Sequence, residues 1–494
     1  MTQLLKLPSM SCTVLSIAAQ PSLELRSCVA EPRVVFTAAG EPSFLSILFT
    51  LFVTTAPAIW WLSMSVIIPT AVAELSPETA SVLSALLPSG AQAVAAVLSP
   101  IFLSSAELSS DFRALQVSLL AGAALVHGAL LLNDYVGALP DVVIYPVSMF
   151  LCMLAANLTY NVNAALVVVY ASLRPDKSGT ISGLNSFVLV IVQVIGLLVV
   201  SIAPFSVGHL NSIALFGAYI TGSLLLLLLC VPTRLLRPRA PVDLEPKIGS
   251  NGDCLESLAG LRQGLCQGPR QWFTDPRYRP FRFAVVPLVA IQSIVPAFVG
   301  TFAFQLEDVT SLGSAEDVDK WLPPVLALGS MAAGVLVIPF GLLCDRWGNF
   351  EGTVAALTGM AICLSLFLPG SLSMYAVACI GMNVCFQSFF VSYFAYLAIE
   401  ILPDPASSAR DVGGIFMLTA PFVPSTAVAW GTFMDNSPTT GHIMSGGRSQ
   451  RTQSTYMTAT AVMIFAVAVG VAFLYRSRQL ARHVSQHAIR MPLL

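Results

Sequence analysis

Charge is what this sequence has least of. Only 10% of its 494 residues are Asp, Glu, Lys or Arg, against about 25% in a soluble globular protein, so a water-soluble domain of any size is excluded. Its 24 basic and 26 acidic residues leave a net charge of −2 and no basic platform, which excludes a nucleic-acid partner. Reactive clusters are missing as well. The ten cysteines form no CxxC pair and no Cys/His group, and most stand singly in apolar runs (Cys152, Cys230, Cys363, Cys379, Cys385), as small buried hydrophobes do. No Ser/His/Asp order, phosphate loop or metal-ligand spacing occurs, so neither enzyme activity nor a cofactor or metal is expected.

Apolar length is what the chain has in abundance. Hydrophobic residues make up 56% of it and its mean hydropathy is +0.79. A bilayer crossing needs about 20 largely apolar residues. Such windows predict crossings at 44–73, 79–104, 114–132, 142–172, 180–203 and 210–231. Further crossings are predicted at 281–305, 321–343, 352–368, 371–402, 412–434 and 456–475. The expected fold class is an all-α polytopic membrane protein with 12 transmembrane helices in two six-helix halves, residues 44–231 and 280–475. Residues 1–43 are expected to form an N-terminal tail, 232–279 a Pro- and Arg-rich linker, and 476–494 a basic tail.

Charge in the loops orients the bundle. One set carries Arg174 and Lys177, the Arg234 to Arg279 cluster, Arg346, Arg410 and the tail arginines; the alternate set carries Glu74, Glu78, Asp134, Asp141, Glu307, Asp308 and Asp317. The positive-inside rule then puts both termini, and the tails and linker, in the cytoplasm. Arg448 and Arg451, before the last crossing, break the pattern. The plasma membrane is the expected location, with an organelle membrane as the alternative.

Between two apolar runs lies Gly341-Leu-Leu-Cys-Asp345-Arg346-Trp-Gly348. Its glycines let two helices close on a tight turn, and its Asp and Arg can bond to the backbone ends of a neighbouring helix. This stretch resembles the G-x-x-x-D-R-x-G signature of the major facilitator superfamily. Leu173-Arg-Pro-Asp-Lys-Ser-Gly179-Thr-Ile-Ser-Gly183, Arg279-Pro-Phe281-Arg282-Phe, Phe304 to Val309, and Glu400-Ile-Leu-Pro-Asp404 with Ala409-Arg410-Asp411-Val-Gly413 resemble its glycoside and sugar to cation symporter branch, which includes sucrose carriers. Two departures stand out. The first-half copy of the turn is only Ser104 to Arg113, without a run of arginines, and Phe394 occupies a position where that branch usually has an Asp.

The resemblance implies two halves rocking about a midplane site, and a gate built from Gly179, Gly341, Asp345, Arg346, Gly348, Asp404, Arg410 and Asp411. By the same analogy, Asp345 is expected to face the start of helix five near Ser178 and Gly179. Glu107 or Asp111 is expected to face the start of helix eleven near Arg410.

Polar side chains inside crossings mark a candidate solute site, since hydrocarbon penalises unsatisfied polarity. Asn157, Tyr160 and Asn161 share one face of helix four, with Asn163 off it; Asn383 and Gln387 share a face of helix ten, and Tyr393, Tyr396 and Glu400 another. Gln292 is a further candidate, and Trp60, midway along helix one, can stack on a ring. Amides supply donors and acceptors suited to a polyol; helix–helix hydrogen bonding is the competing use. His127 and Glu400 are the candidates for carrying protons or another cation. The expected function is alternating-access transport, by a monomer in the lipid bilayer, of a small neutral polar solute such as a sugar or glycoside, either proton-coupled or facilitative. A lysolipid carrier and a non-transporting receptor of the same fold are the alternatives.

Overall fold

The computed structural model describes residues 44–55, 80–109, 112–202, 209–231, 262, 266–310, 312, 315–404, 407–443 and 449–490. The first half comprises α1 (Phe44–Thr55), α2 (Ala80–Ser109), α3 (Phe112–Val136), α4 (Asp141–Leu173), α5 (Ser178–Ile202) and α6 (His209–Cys230). The second comprises α7 (Arg279–Val309), α8 (Ala315–Trp347), α9 (Asn349–Ser365), α10 (Leu372–Tyr396), α11 in two segments (Ser408–Thr419 and Phe422–Asp435) and α12 (Gln453–Arg490). Between α11 and α12 a hairpin pairs β1 (Thr439–Ile443) with β2 (Ser449–Arg451) in antiparallel fashion.

Local sequence explains where these helices stop. Arg174 precedes Pro175, which pushes it out of the helical region (φ −130°, ψ 71°) and ends α4 before a single 3-10 turn leads into α5. Gly348 turns the chain from α8 to α9 at φ +113°, a conformation that suits glycine. Pro421 falls at the break in α11, where its missing N–H ends the first segment.

Among the described helices, seven are long and apolar enough to cross a membrane. The bundle's surface inverts that of a soluble protein: Leu125, Tyr219, Val335, Val428 and Phe465 are each more than two-thirds exposed, as residues facing hydrocarbon would be. The halves meet chiefly where α5 packs on α8 and α2 packs on α11. Both crossings bring backbone against backbone. A Cβ at Gly179 would overlap the Gly341 carbonyl, one at Gly183 the Val337 carbonyl, and one at Gly413 the Pro100 backbone. Small residues at such crossings let membrane helices approach closely.

Three expectations change. The helix predicted over 456–475 runs to Arg490, because nothing after Tyr475 breaks it before Pro492; its 38 residues extend about 57 Å, well past a hydrocarbon core of about 30 Å. The expected linker contains a short helix, Gly268–Thr274, whose Trp272 is fully buried. Arg451, which broke the charge pattern, is buried where the backbone of β2 meets Asp308 at the end of α7, so it is not a free loop charge. Arg448 lies outside the described residues.

Candidate functional site

Two carboxylates fasten the halves together at one end of the bundle. Asp345, near the C-terminus of α8, accepts hydrogen bonds from the Gly179 N–H (2.6 Å), the Thr180 N–H (3.0 Å) and the Thr180 hydroxyl at the start of α5. Glu107, near the C-terminus of α2, accepts one from the Ala409 N–H (2.5 Å) at the start of α11. The first N–H groups of a helix have no intrahelical partner and carry partial positive charge, so each clasp satisfies backbone and charge together. The two are related by exchange of the halves: α8 grips α5 as α2 grips α11. Asp111 lies outside the described residues.

Arg346 does not join the clasp. It is exposed, because neighbouring positions on a helix point about 100° apart and Asp345 takes the one facing α5. Gly341 and Gly179 make the close crossing beneath the bonds, and Gly348 makes the turn.

The α11 end is reinforced from the linker. Asp411 is fully buried and accepts from Trp272 Nε1 (2.9 Å), the Tyr278 hydroxyl (2.9 Å), the Ser407 hydroxyl (3.3 Å) and Arg410 Nη2 (2.8 Å). Arg410 also donates to the Tyr278 oxygen (3.0 Å). Trp272 lies so close to Gly414 that a Cβ there would overlap its ring, and it stacks on Phe281. Asp275 caps the turn between Trp272 and Tyr278 through the Arg277 N–H; its hydrogen bond to the Arg277 side chain holds its carboxyl below the usual range. Burial, with Asp411 beside it, pushes the Tyr278 hydroxyl up, so it remains a donor. Asp404 keeps an exposed side chain and contributes its carbonyl to Ser407 ahead of α11. Trp272 and Tyr278 went unnoticed in the sequence because the polar linker gave no periodic pattern to read.

Further into the bundle from the clasps, a cavity of about 300 Å³ lies between the halves. Gln92 of α2, Asn157, Tyr160, Asn161 and Asn163 of α4, and Ser182, Asn185 and Ser186 of α5 supply a polar wall. From the other half come Gln292 of α7, Gln387 of α10 and Thr419 of α11, with Phe386, Phe390, Phe394 and Phe416. None of the described lining residues is ionisable at neutral pH. Several amides are part structural. Asn157 Nδ2 donates to the Met153 carbonyl (2.8 Å), Asn161 Nδ2 to Ser99 Oγ (2.7 Å), and Asn163 Nδ2 to Thr54 Oγ1 (2.7 Å). By contrast Gln292 Oε1, Asn163 Oδ1 and Ser182 Oγ are buried with no partner among the described residues. Each such atom costs about 1–3 kcal/mol unless a solute or water reaches it.

The remaining sequence candidates lie elsewhere. Tyr393 is fully buried, donates to the Ala284 carbonyl of α7 (2.7 Å) and stacks on Phe389; it packs α10 on α7 and does not line the cavity. Asn383 packs over Gly329 of α8, one turn beyond the cavity. His127 is buried over Gly217, at the α3–α6 contact. Glu400 pairs with Arg478 of α12 (3.3 Å), which also binds Glu351 and covers the Phe350 ring. Trp60 lies outside the described residues. Asn163, expected off the α4 face, also lines the cavity, while its Nδ2 bonds to Thr54 of α1. The i, i+4, i+8 series Phe386, Phe390, Phe394 was there to be read, but phenylalanine in an apolar helix passes for packing.

A multi-pass integral membrane protein with two helical halves, clasped reciprocally at one end and enclosing a cavity between them, is the class that this architecture defines. No protein-family model matches the sequence, and comparison with curated proteins gives no match. Solved structures match the fold. The human organic anion transporter MFSD10 aligns with a TM-score of 0.63 at 12% identity, over 87% of this chain and 100% of that one. A bacterial homologue of the iron transporter ferroportin, in an outward-facing state, aligns with a TM-score of 0.61 at 13% identity, over 88% and 99%. FucP, a major facilitator superfamily transporter in the outward conformation, aligns with a TM-score of 0.59 at 12% identity, over 87% and 97%. The fold is therefore that of the major facilitator superfamily.

Proposed function

We propose that this protein carries a small neutral polar solute across a membrane by alternating access, a sugar or glycoside being the polyol chemistry that its amide wall suits. The single observation that carries the reading is the pair of carboxylate clasps closing one end of an amide-lined cavity between two halves. Such clasps are suited to reversible opening. A carboxylate at a helix N-terminus contributes about 0.3–1 kcal/mol, up to about 2 when partly buried, enough to bias two states without locking either. Major facilitator structures as different in cargo as an organic anion transporter and an iron transporter homologue share the fold, so the solute must be argued from the cavity.

With both termini on the cytoplasmic side, as loop charge implies, the clasped end is cytoplasmic and the structure is closed toward the cytoplasm. Unlike the sequence candidates for proton coupling, the cavity is uncharged along its described lining. His127 and Glu400 are engaged elsewhere. In this proposal the solute follows its own gradient and one chain, with its own cavity, suffices.

The test is uptake by proteoliposomes of the purified protein, offered radiolabelled neutral solutes at two pH values. Saturable uptake that falls in Asp345→Asn at equal reconstitution is the expected result. Absence of any solute flux, with clasp variants indistinguishable from wild type in every measured property, would instead favour a receptor.

A further inference from the structure

We infer that the solute carries a flat aromatic ring joined to hydroxyl or amide groups, a nucleoside or an aryl glycoside being the simplest neutral examples. This deepens the carrier reading and rests on it. The observation is a continuous phenylalanine patch, all of it on the second half, in a cavity whose amides and hydroxyls come mostly from the first.

On the second-half side, Phe386, Phe390 and Phe394 recur every four residues along α10, so their rings line up on one face. Phe386 meets Phe390 edge-on at 4.8 Å, and Phe390 lies nearly parallel to Phe394 at 5.9 Å. Phe416 of α11 extends the surface, 6.4 Å from Phe394. Aromatic rings prefer such offset or edge-on neighbours. A pyranose has one narrow apolar face, which a single ring covers. Four neighbouring rings offer a broader apolar surface, of the kind against which a further aromatic ring packs offset or edge-on.

The polar part of the lining is amide and hydroxyl, set among small apolar side chains, most of it from the first half with Gln292 and Gln387 from the second. An Asn or Gln side chain presents a donor and an acceptor from one planar group, the arrangement that pairs with adjacent N–H and C=O groups on the edge of a heteroaromatic ring. Gln292 Oε1, Asn163 Oδ1 and Ser182 Oγ are held at the cavity without partners among the described residues, which leaves acceptors for N–H or O–H groups of a solute. The described lining offers no Lys or Arg, whereas a phosphate-bearing solute would call for charge-assisted donors. A nucleoside fits this lining; a nucleotide does not.

The experiment measures thermal stabilisation of the detergent-purified full-length protein by uridine, phenyl β-glucoside, glucose and lysophosphatidylcholine, since a ligand bound only by the folded state raises the midpoint by mass action. The wild type is compared with Phe390→Leu, which keeps an apolar side chain but removes the ring. Should that variant unfold early, Phe386→Leu serves as the second probe.

Stabilisation by uridine or phenyl β-glucoside, with none from glucose at the same concentration, and a drop of about fivefold in apparent affinity in the ring variant, the size of one aromatic contact, is the expected result. Equal stabilisation by glucose and phenyl β-glucoside, ring-bearing affinity unchanged in both variants, or stabilisation by lysophosphatidylcholine alone would overturn the inference, as would no shift with either ring-bearing probe. Proteoliposome uptake of the same probes separates the two claims. Binding without flux removes the carrier reading and leaves ring recognition standing, whereas glucose flux indifferent to Phe390 does the reverse.

Discussion

Asp345 acts at the scale of a single side chain, through three hydrogen bonds to the first turn of α5. Asp345→Asn keeps the shape and removes the charge, so the closed state should lose about 1 kcal/mol and the open fraction should rise about fivefold. Gln292 gives a sharper prediction. Its Oε1 is buried without a partner among the described residues, so Gln292→Leu should raise thermal stability by about 1 kcal/mol while lowering solute affinity. Reduced stability would mean that the amide serves packing. Among the described residues Asn157 bonds to its own helix, and Asn157→Ala should raise the apparent KM for uptake with little change in melting temperature. Which residues reach the cavity was only partly legible in the sequence. Spacing grouped Asn157, Tyr160 and Asn161 on one face, and all three line the cavity. It had no means of telling that Tyr393 faces α7, because a membrane helix packed on several sides has no single polar stripe to orient it.

Helix crossings set what the elements can do. Gly183 lies where α5 meets the Val337 backbone of α8, so Gly183→Val should separate the halves near the clasp. The expected outcome is greater cysteine accessibility at the start of α5 together with reduced folded yield. The linker helix is a second element with a measurable role. Trp272 bonds to Asp411 beneath the Glu107 clasp, and Trp272→Phe, which keeps the ring and removes the N–H donor, should open this end more often without unfolding the bundle. Trypsin or labelling access at the exposed arginines of the linker end, compared between variant and wild type, checks it; equal access would contradict the role. The boundaries of α4 and α5 were readable from apolar length to within two residues, whereas α8, expected over 321–343, runs past that window at both ends, from Ala315 to Trp347. The break in α11 was also written in the sequence, at Pro421, but a window of hydropathy averages over a single proline. The helix at Gly268–Thr274 carried no such sign, since its one buried side chain is fixed by tertiary contacts.

For the whole molecule, apolar length and loop charge revealed two halves of six helices, because a bilayer leaves the chain few alternatives. They said less about the space between the halves. That space depends on which faces of α2, α4, α5, α7, α10 and α11 turn inward, and its phenylalanine wall, with Phe394 where a carboxylate was looked for, emerges only when those helices are assembled. The central claim is that the two clasps hold one of two alternating states. The most direct measurement is the distance between spin labels at Lys177→Cys, just before α5, and Trp347→Cys, at the end of α8, both exposed positions, placed in a background without accessible native cysteines. Double electron–electron resonance in nanodiscs should give one short distance for wild-type clasps, and a second, longer population when Asp345→Asn and Glu107→Gln are combined. An identical single short distance in both proteins would contradict the account.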